Sequence, residues 1–435
     1  MAAGGVEICA QGTQPSGSVK SKGRQQLNLT VSSTGGYDVD GPRDVSATTL
    51  LPGSDQAAGY STMLESGADY AFKGRRLQVR ATGGSAQRYL RPLDDVLPSS
   101  FGSVNHAGSL AVSNRWTRTT LSLNQTALYT TSPLYSFFAP SATGAPVDAA
   151  TPSDAPLASP VYGMNTFKAR SYGSSMTLSH NLTSRNGVAL NAEWQRQSSE
   201  AVGSTSGTQQ LTTYGAGVQF MHRVGRNTTA TGRILYRMSD VEYTVPAVTR
   251  QLTEQGIEFG LEQRQPISAT RRLTINGLGG VSTMRVPQLV GTEISDRRYT
   301  QFWGQLALNY ELTRRWRASA SYRQGIDYLA GLSEPVSSRT ATAMTTGLLS
   351  RRVDLTASAA YSSGASALNL TNSAFDTYTG DLRLRYSPTP TFATYVQYVY
   401  YFYDSRGTLP LVPGLPSRLD RNSIRAGLVV RLPAL

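Results

Sequence analysis

The sequence predicts an all-β chain, a transmembrane antiparallel up-and-down β-barrel of about eighteen strands, from three observations. Hydrophobicity alternates with period two over stretches of about twelve residues or more, roughly twice the usual strand of a soluble sheet. These stretches come in pairs joined by two- or three-residue connectors, and longer loops rich in Gly, Pro, Ser, Asp and Thr separate the pairs. No run approaches the ~18 apolar residues that a membrane helix requires.

The alternation is clearest between Arg297 and Gln324. Phe302, Leu306, Leu308, Tyr310 and Leu312 fall on one parity, Gln301, Gln305, Asn309 and Glu311 on the other. After the connector Thr313-Arg314-Arg315, Trp316, Ala318, Ala320 and Tyr322 alternate with Arg317, Ser319, Ser321 and Arg323. Successive side chains of a strand point to opposite faces, so each half of this hairpin has one oily and one hydrophilic face.

Residues 1–23 are Gly, Ser, Gln and Ala without periodicity and read as a disordered leader, which leaves 24–435 for the barrel. Leu27, Leu29 and Val31 open the first strand, 24–37. Tight turns are expected near Lys73-Gly74, Asn114-Arg115, Arg185-Asn186-Gly187 and Gly225-Arg226-Asn227. Further ones fall near Ser268-Ala269-Thr270, Arg314, Arg351 and Pro388-Thr389-Pro390. The Asn-Gly pair readily supplies the positive φ of a two-residue hairpin. Eight hairpins, with the first strand and a last one at 421–432, give about eighteen strands, or sixteen if a marginal segment such as 57–72 is loop. An even number puts both termini on the periplasmic side, with the short turns. The longest loop is the third, 132–162.

Composition agrees. Hydrophobic residues make up only 39% and mean hydropathy is negative, as befits a wall in which every second residue faces lipid. Phe392 and Phe402 share a parity ten residues apart, a vertical span of ~25 Å at a tilt near 40°, the height of an apolar band. Trp116 and Trp316 each follow a tight turn, where a periplasmic aromatic belt belongs. A soluble β-propeller also repeats at ~40 residues, but with four short strands per blade instead of two long ones. The single cysteine, Cys9, excludes an intramolecular disulfide and a thiolate metal site and reads as incidental. The net charge of +13 comes from dispersed arginines, which argues against a contiguous nucleic-acid face. The N-terminal MAAGGVEICAQG lacks the cationic start and apolar run of a signal peptide, so it reads as a mature end or a mis-assigned first codon.

The hydrophilic parity is where function is expected. It presents Arg76, Arg80, Arg233, Arg237, Arg317, Arg323, Arg383, Arg385, Arg425 and Arg431 against Glu193, Glu258, Glu262, Glu311, Asp354 and Asp381. Two roles stay open for these residues. They pair across strands and brace the wall, or their excess positive charge concentrates anions in a wet lumen. Arginines beside the short turns have a third option, the phosphates of lipid. Catalysis finds little support. His180 and His222 precede tight turns, and His106 lies near an external loop beside Ser103 and Asn105 with no acidic partner in the same stretch. No Gly-rich phosphate loop, HExxH or GxSxG motif is present, so neither an enzyme nor a cofactor is expected.

In organisation, over residues 24–435, the chain resembles the outer-membrane β-barrel porins of Gram-negative bacteria, a group that includes barrels linked to exopolysaccharide export. The resemblance implies an outer-membrane location, with outer-membrane lipid and the barrel-assembly machinery as partners and no role for nucleic acid. It implies a channel for small hydrophilic solutes, anionic ones given the arginine excess. The alternative is the exit barrel of an exopolysaccharide or other secretion system, with periplasmic export partners. The tyrosines around Tyr395, Tyr401 and Tyr403 favour sugar, because aromatic faces stack on pyranose rings. By position and length the loop 132–162 matches the third loop of general porins, which folds inward and narrows the channel; an external cap or mobile surface loop is the other reading. The C-terminal Pro433-Ala434-Leu435 departs from the terminal aromatic that such barrels usually present to the assembly machinery.

Overall fold

In the computed structural model the described residues are 24–42, 56–92, 101–131, 167–201, 209–244, 247–268, 270–290, 293–313, 315–327, 336–366, 374–406 and 418–433. The leader 1–23 with Cys9, the loop 132–162, Arg314 and the last two residues lie outside them. The described residues form eighteen strands in one sheet. In chain order these are β1 (Arg24–Pro42), β2 (Gln56–Lys73), β3 (Leu77–Pro92), β4 (Phe101–Arg115), β5 (Thr119–Thr130) and β6 (Phe167–Asn181). There follow β7 (Asn186–Ala201), β8 (Gln209–Arg223), β9 (Thr228–Thr244), β10 (Ala247–Pro266), β11 (Arg272–Val290) and β12 (Glu293–Glu311). The last six are β13 (Trp316–Asp327), β14 (Val336–Leu348), β15 (Val353–Ser366), β16 (Ala374–Tyr386), β17 (Phe392–Arg406) and β18 (Arg418–Pro433).

Every strand pairs antiparallel with its sequence neighbours, and β1 also pairs with β18 from Asn28↔Pro433 to Val39↔Asn422, which closes the barrel. The segment weighed as loop, 57–72, is a strand, so the number is eighteen and not sixteen. The first and last strands run further toward the long-loop side than their alternation marks, to Pro42 and from Arg418. A strand needs about ten residues to cross an apolar band of ~25 Å at a tilt near 40°. The shortest strands, with 12 residues, meet that need, and the longest, with 20, overshoots it.

Side chains close several of the tight turns. Thr183 Oγ1 accepts hydrogen bonds from the amides of Arg185 and Asn186, at 3.2 and 2.9 Å. Thr313 Oγ1 does the same for Arg315 and Trp316, both at 3.1 Å, and Ser350 Oγ for Arg352 and Val353, at 3.2 and 3.1 Å. A hydroxyl that satisfies two turn amides does the work otherwise left to a special backbone conformation. This corrects the expectation for Asn186-Gly187. The chain bends at 182–185, and Asn186 and Gly187 already pair with His222 and Met221 within the sheet.

The two faces differ as the alternation requires. Outward-facing Phe302, Phe259 and Ile234 are 74%, 69% and 65% exposed, and similar apolar side chains recur on all sides of the barrel. A continuous apolar surface of this kind is stable only against hydrocarbon. Inward-facing side chains are mostly polar. Toward the long-loop ends most are buried, among them Arg88, Asn105, Thr130, Ser199, Met284 and Phe375. Toward the short turns most are partly exposed, among them Arg80, Glu262, Asn309 and Arg383.

Ile234 lies near the middle of β9, between Val218 and Ile257. Replacing it with Arg should cost about 2–4 kcal/mol of folding free energy in lipid vesicles, measured by urea titration. Arg in place of inward-facing Asn124 should cost little, and equal costs at the two positions would contradict the assignment of faces.

Candidate lumen site

The register carries one parity around the whole wall, so each hydrophilic position can be assigned a face. Arg80, Arg233, Arg237, Arg317, Arg323, Arg383, Arg385, Arg425 and Arg431 stand at inward positions, as do Glu193, Glu258, Glu262, Glu311, Asp354 and Asp381. Arg76 differs. It lies in the exposed turn before β3, at the rim.

On β7 to β10 the charges form ladders. Arg237 on β9 reaches Glu254 on β10 at 3.0 Å and Glu193 on β7 at 2.9 Å. The second contact skips a strand. It exists because Gly215 on β8 lies between the two partners, where a Cβ would stand 2.5 Å from the Glu193 carboxylate. Arg233 lies 3.5 Å from Glu258, and Arg264 donates to Glu262 at 2.5 Å. Elsewhere Arg80 meets Asp69 at 2.9 Å and Arg385 meets Asp354 at 2.7 Å. Glu311 sits directly between Arg272 and Arg317 in the register. Asp381 accepts a hydrogen bond from Gln397.

On the other side of the barrel, at the closing seam of β1 and β18, the grouping is different. Asp38 on β1 is fully buried and faces three arginines: Arg88 on β3 at 2.5 Å, Arg421 on β18 at 2.8 Å and Arg425 on β18 at 3.9 Å. Arg421 is 0% and Arg425 4% exposed. Arg425 Nε also donates to Ser423 Oγ at 2.9 Å. Around them Ser32 donates to Glu65 at 2.7 Å, and the hydroxyls of Thr34 and Tyr395 are hydrogen-bonded. Gly36 makes room, since a Cβ there would stand 2.8 Å from Arg425 Cγ. Tyr395, Tyr401 and Tyr403 face inward here, but all three are buried, so they do not present open faces to a passing sugar.

Asp38, Arg88, Arg421, Glu254 and Arg264 escaped the sequence-based selection. Parity was the available signal: Arg88 follows Arg80 by eight residues, Arg421 precedes Arg425 by four, and Glu254 precedes Glu258 by four. Asp38 fell just past the expected end of the first strand. The histidines bond locally. His180 Nδ1 lies 2.9 Å from Thr119 Oγ1, and His222 Nδ1 donates to Asn186 Oδ1 at 2.6 Å. The His106 ring stacks on Tyr129 with centroids 5.9 Å apart.

Removing one member of a buried charge group leaves the others uncompensated, at about 3–5 kcal/mol. Asp38→Asn should lower barrel stability by that order, read from the midpoint of heat-modifiable gel migration. Adding Arg421→Gln should restore part of the loss, because it removes one of the repelling cations.

No family model and no curated protein matches the sequence. Among solved structures the chain is similar to Pseudomonas aeruginosa OpdQ, with 10% identity over 94% of this chain and 98% of that one and a TM-score of 0.40. It is similar to Pseudomonas aeruginosa OccK7 (OpdD), with 9% identity, 95% and 99% coverage and a TM-score of 0.41. Pseudomonas aeruginosa OpdL gives 12% identity, 94% and 99% coverage and a TM-score of 0.38. The chain's own geometry carries the architectural conclusion. A closed, even-stranded antiparallel barrel with an apolar outer face, a polar inner face and short turns at one end is a transmembrane β-barrel of the kind that spans outer membranes.

Proposed function

We propose that the protein is an outer-membrane channel that passes small hydrophilic solutes and favours anions. The observation behind this is the excess of arginine on the accessible part of the inward face, where Arg317, Arg323, Arg383 and Arg431 are exposed or partly exposed. The inward carboxylates are largely engaged: Glu193, Glu254 and Glu258 by Arg237 and Arg233, Glu262 by Arg264, Asp354 by Arg385, and Asp38 by Arg88, Arg421 and Arg425. An eighteen-stranded wall encloses a lumen ~35 Å across between backbones, too wide for wall side chains alone to fill. Cations fixed on such a wall raise the local anion concentration. Bracing and selectivity are not exclusive here: the β7–β10 ladder braces, and the arginine excess supplies the bias.

A second reading, the exit barrel of an exopolysaccharide or other secretion system with periplasmic partners, is favoured by one observation. The inward side chains of the long-loop half are buried, as they would be in a lumen held shut until a partner engages it.

Conductance in a planar bilayer under a KCl gradient separates the two. Stable steps with an anion-leaning reversal potential are expected for the channel. Arg317→Glu combined with Arg323→Glu should lower the anion-to-cation permeability ratio several-fold. Cation preference in the unaltered protein would overturn the anion bias. Electrical silence from barrel shown folded by heat-modifiable migration would favour the exit barrel instead.

A further inference from the structure

On the outer face, across the closing seam, the wall carries a groove of about 640 Å³. The register explains it as two adjacent cross-strand rows. The upper row runs Gly35, Ala426, Val396, Leu384 across β1, β18, β17 and β16. The lower row runs Ser33, Leu428, Thr394, Tyr386 and, on β15, Val353. Small residues on β1 and β18 make the floor, and Leu384, Tyr386, Val396 and Leu428 make the walls. A Cβ on Gly35 would meet nothing within 4 Å, so the depression is open to the outside. Its floor is supported from within, where the Tyr395 ring lies against Gly427 and its hydroxyl bonds Thr34.

The groove is inclined. Val353 is the first residue of β15 and Tyr386 the last of β16, whereas Ser33 lies nine residues beyond the start of β1. Four interstrand steps of ~4.8 Å, inclined at ~40°, climb about 12 Å, close to half of a ~25 Å apolar band. The groove therefore runs from the short-turn interface to the middle of the membrane, the depth that one acyl chain covers. At its lower mouth is the turn Ser350-Arg351-Arg352, tied to β16 by the Ser387 amide bonding to the Arg352 carbonyl at 2.7 Å. Arg351 and Arg352 are exposed. Asp354, two residues after Arg352, faces inward and is held by Arg385 at 2.7 Å.

We propose that this groove is a binding site for one anionic phospholipid of the periplasmic leaflet, with its phosphate on Arg351 and Arg352 and an acyl chain along the groove. Guanidinium recognises phosphate with directed donors, and the inclined apolar channel selects a ligand that has a chain as well as a charge. The site rests on the membrane-spanning reading of the barrel and is independent of what crosses the lumen.

Native mass spectrometry of the refolded full chain tests it, after equilibration with equal amounts of dioleoyl phosphatidylglycerol and dioleoyl phosphatidylcholine. The unaltered protein should retain one phosphatidylglycerol in preference to phosphatidylcholine. Arg351→Gln with Arg352→Gln should cut that retention by more than about tenfold, since both charge-assisted contacts are lost. Gly35→Leu with Ala426→Leu should fill the groove and reduce retention of both lipids while the arginines remain. Arg185→Gln, on a distant turn, should retain lipid as the unaltered protein does. Each variant is first shown folded by heat-modifiable migration. Equal retention of the two lipids, or unaltered retention in both double variants, would mean annular lipid only and would overturn the site. Equal capture of glycerol 3-phosphate would show a phosphate site that needs no chain, and would overturn it as well. A chain that never acquires a heat-modifiable form in lipid would remove the membrane reading and this site together, whereas a silent channel would leave the site standing.

Discussion

In hydrocarbon an unpaired backbone amide or carbonyl costs several kcal/mol, and that constraint shapes most of this molecule. A single open edge would expose a row of such groups, so β1 must meet β18. Closure demands a consistent tilt and register all the way round, and the uniform antiparallel pairing supplies it. Long strands follow from the thickness of the apolar band, and the two faces follow from the pleat. Even the turns obey the same rule: Thr183, Thr313 and Ser350 spend their hydroxyls on amides that the bend leaves without a ladder partner.

Within this frame the inner wall has to accommodate arginines on neighbouring strands without leaving them to repel one another. Glycine is how two of the groups are built. Gly215 lets Glu193 lean across β8 toward Arg237, which couples three strands through one cation. Gly36 gives the stem of Arg425 a place beside Asp38. Each is a trade in which a missing side chain weakens local strand preference and permits a charge contact that a Cβ would block. The β7–β10 wall ends near balance, while the seam gathers three arginines about one carboxylate. The inner wall therefore groups its charges differently on its two sides, as pairs in a ladder on one and as a cluster on the other.

Much of the barrel could be read from the sequence, because period two is a local signal and eighteen repetitions of it leave little ambiguity. Inward positions such as Arg80, Arg237 and Arg385 followed from parity alone. The partnerships did not, since they depend on which strands lie side by side and in what register. Asp38 shows the limit most clearly. It sits in GGYDVDG, where glycines and acids read as the start of a loop, yet pairing with β18 continues through it to Val39. The Asn186-Gly187 turn failed for a related reason. The bend instead sits upstream, where the Thr183 hydroxyl accepts from the Arg185 and Asn186 amides, and Asn186 bonds His222 across the ladder.

The adjacent glycines Gly35 and Gly36 show how both faces of the seam come from one short segment. Their neighbouring positions point to opposite sides of the sheet. Gly36 opens space inside for Arg425, and Gly35 opens space outside for the groove. Where the chain closes on itself, three arginines gather about Asp38 on the inner side and the outer face is indented. A side chain at either position would thicken the wall and give up one of those features while leaving the closing ladder intact, because the ladder is made of backbone. The seam can therefore carry specialised surfaces on both sides without weakening the bond that holds the barrel shut.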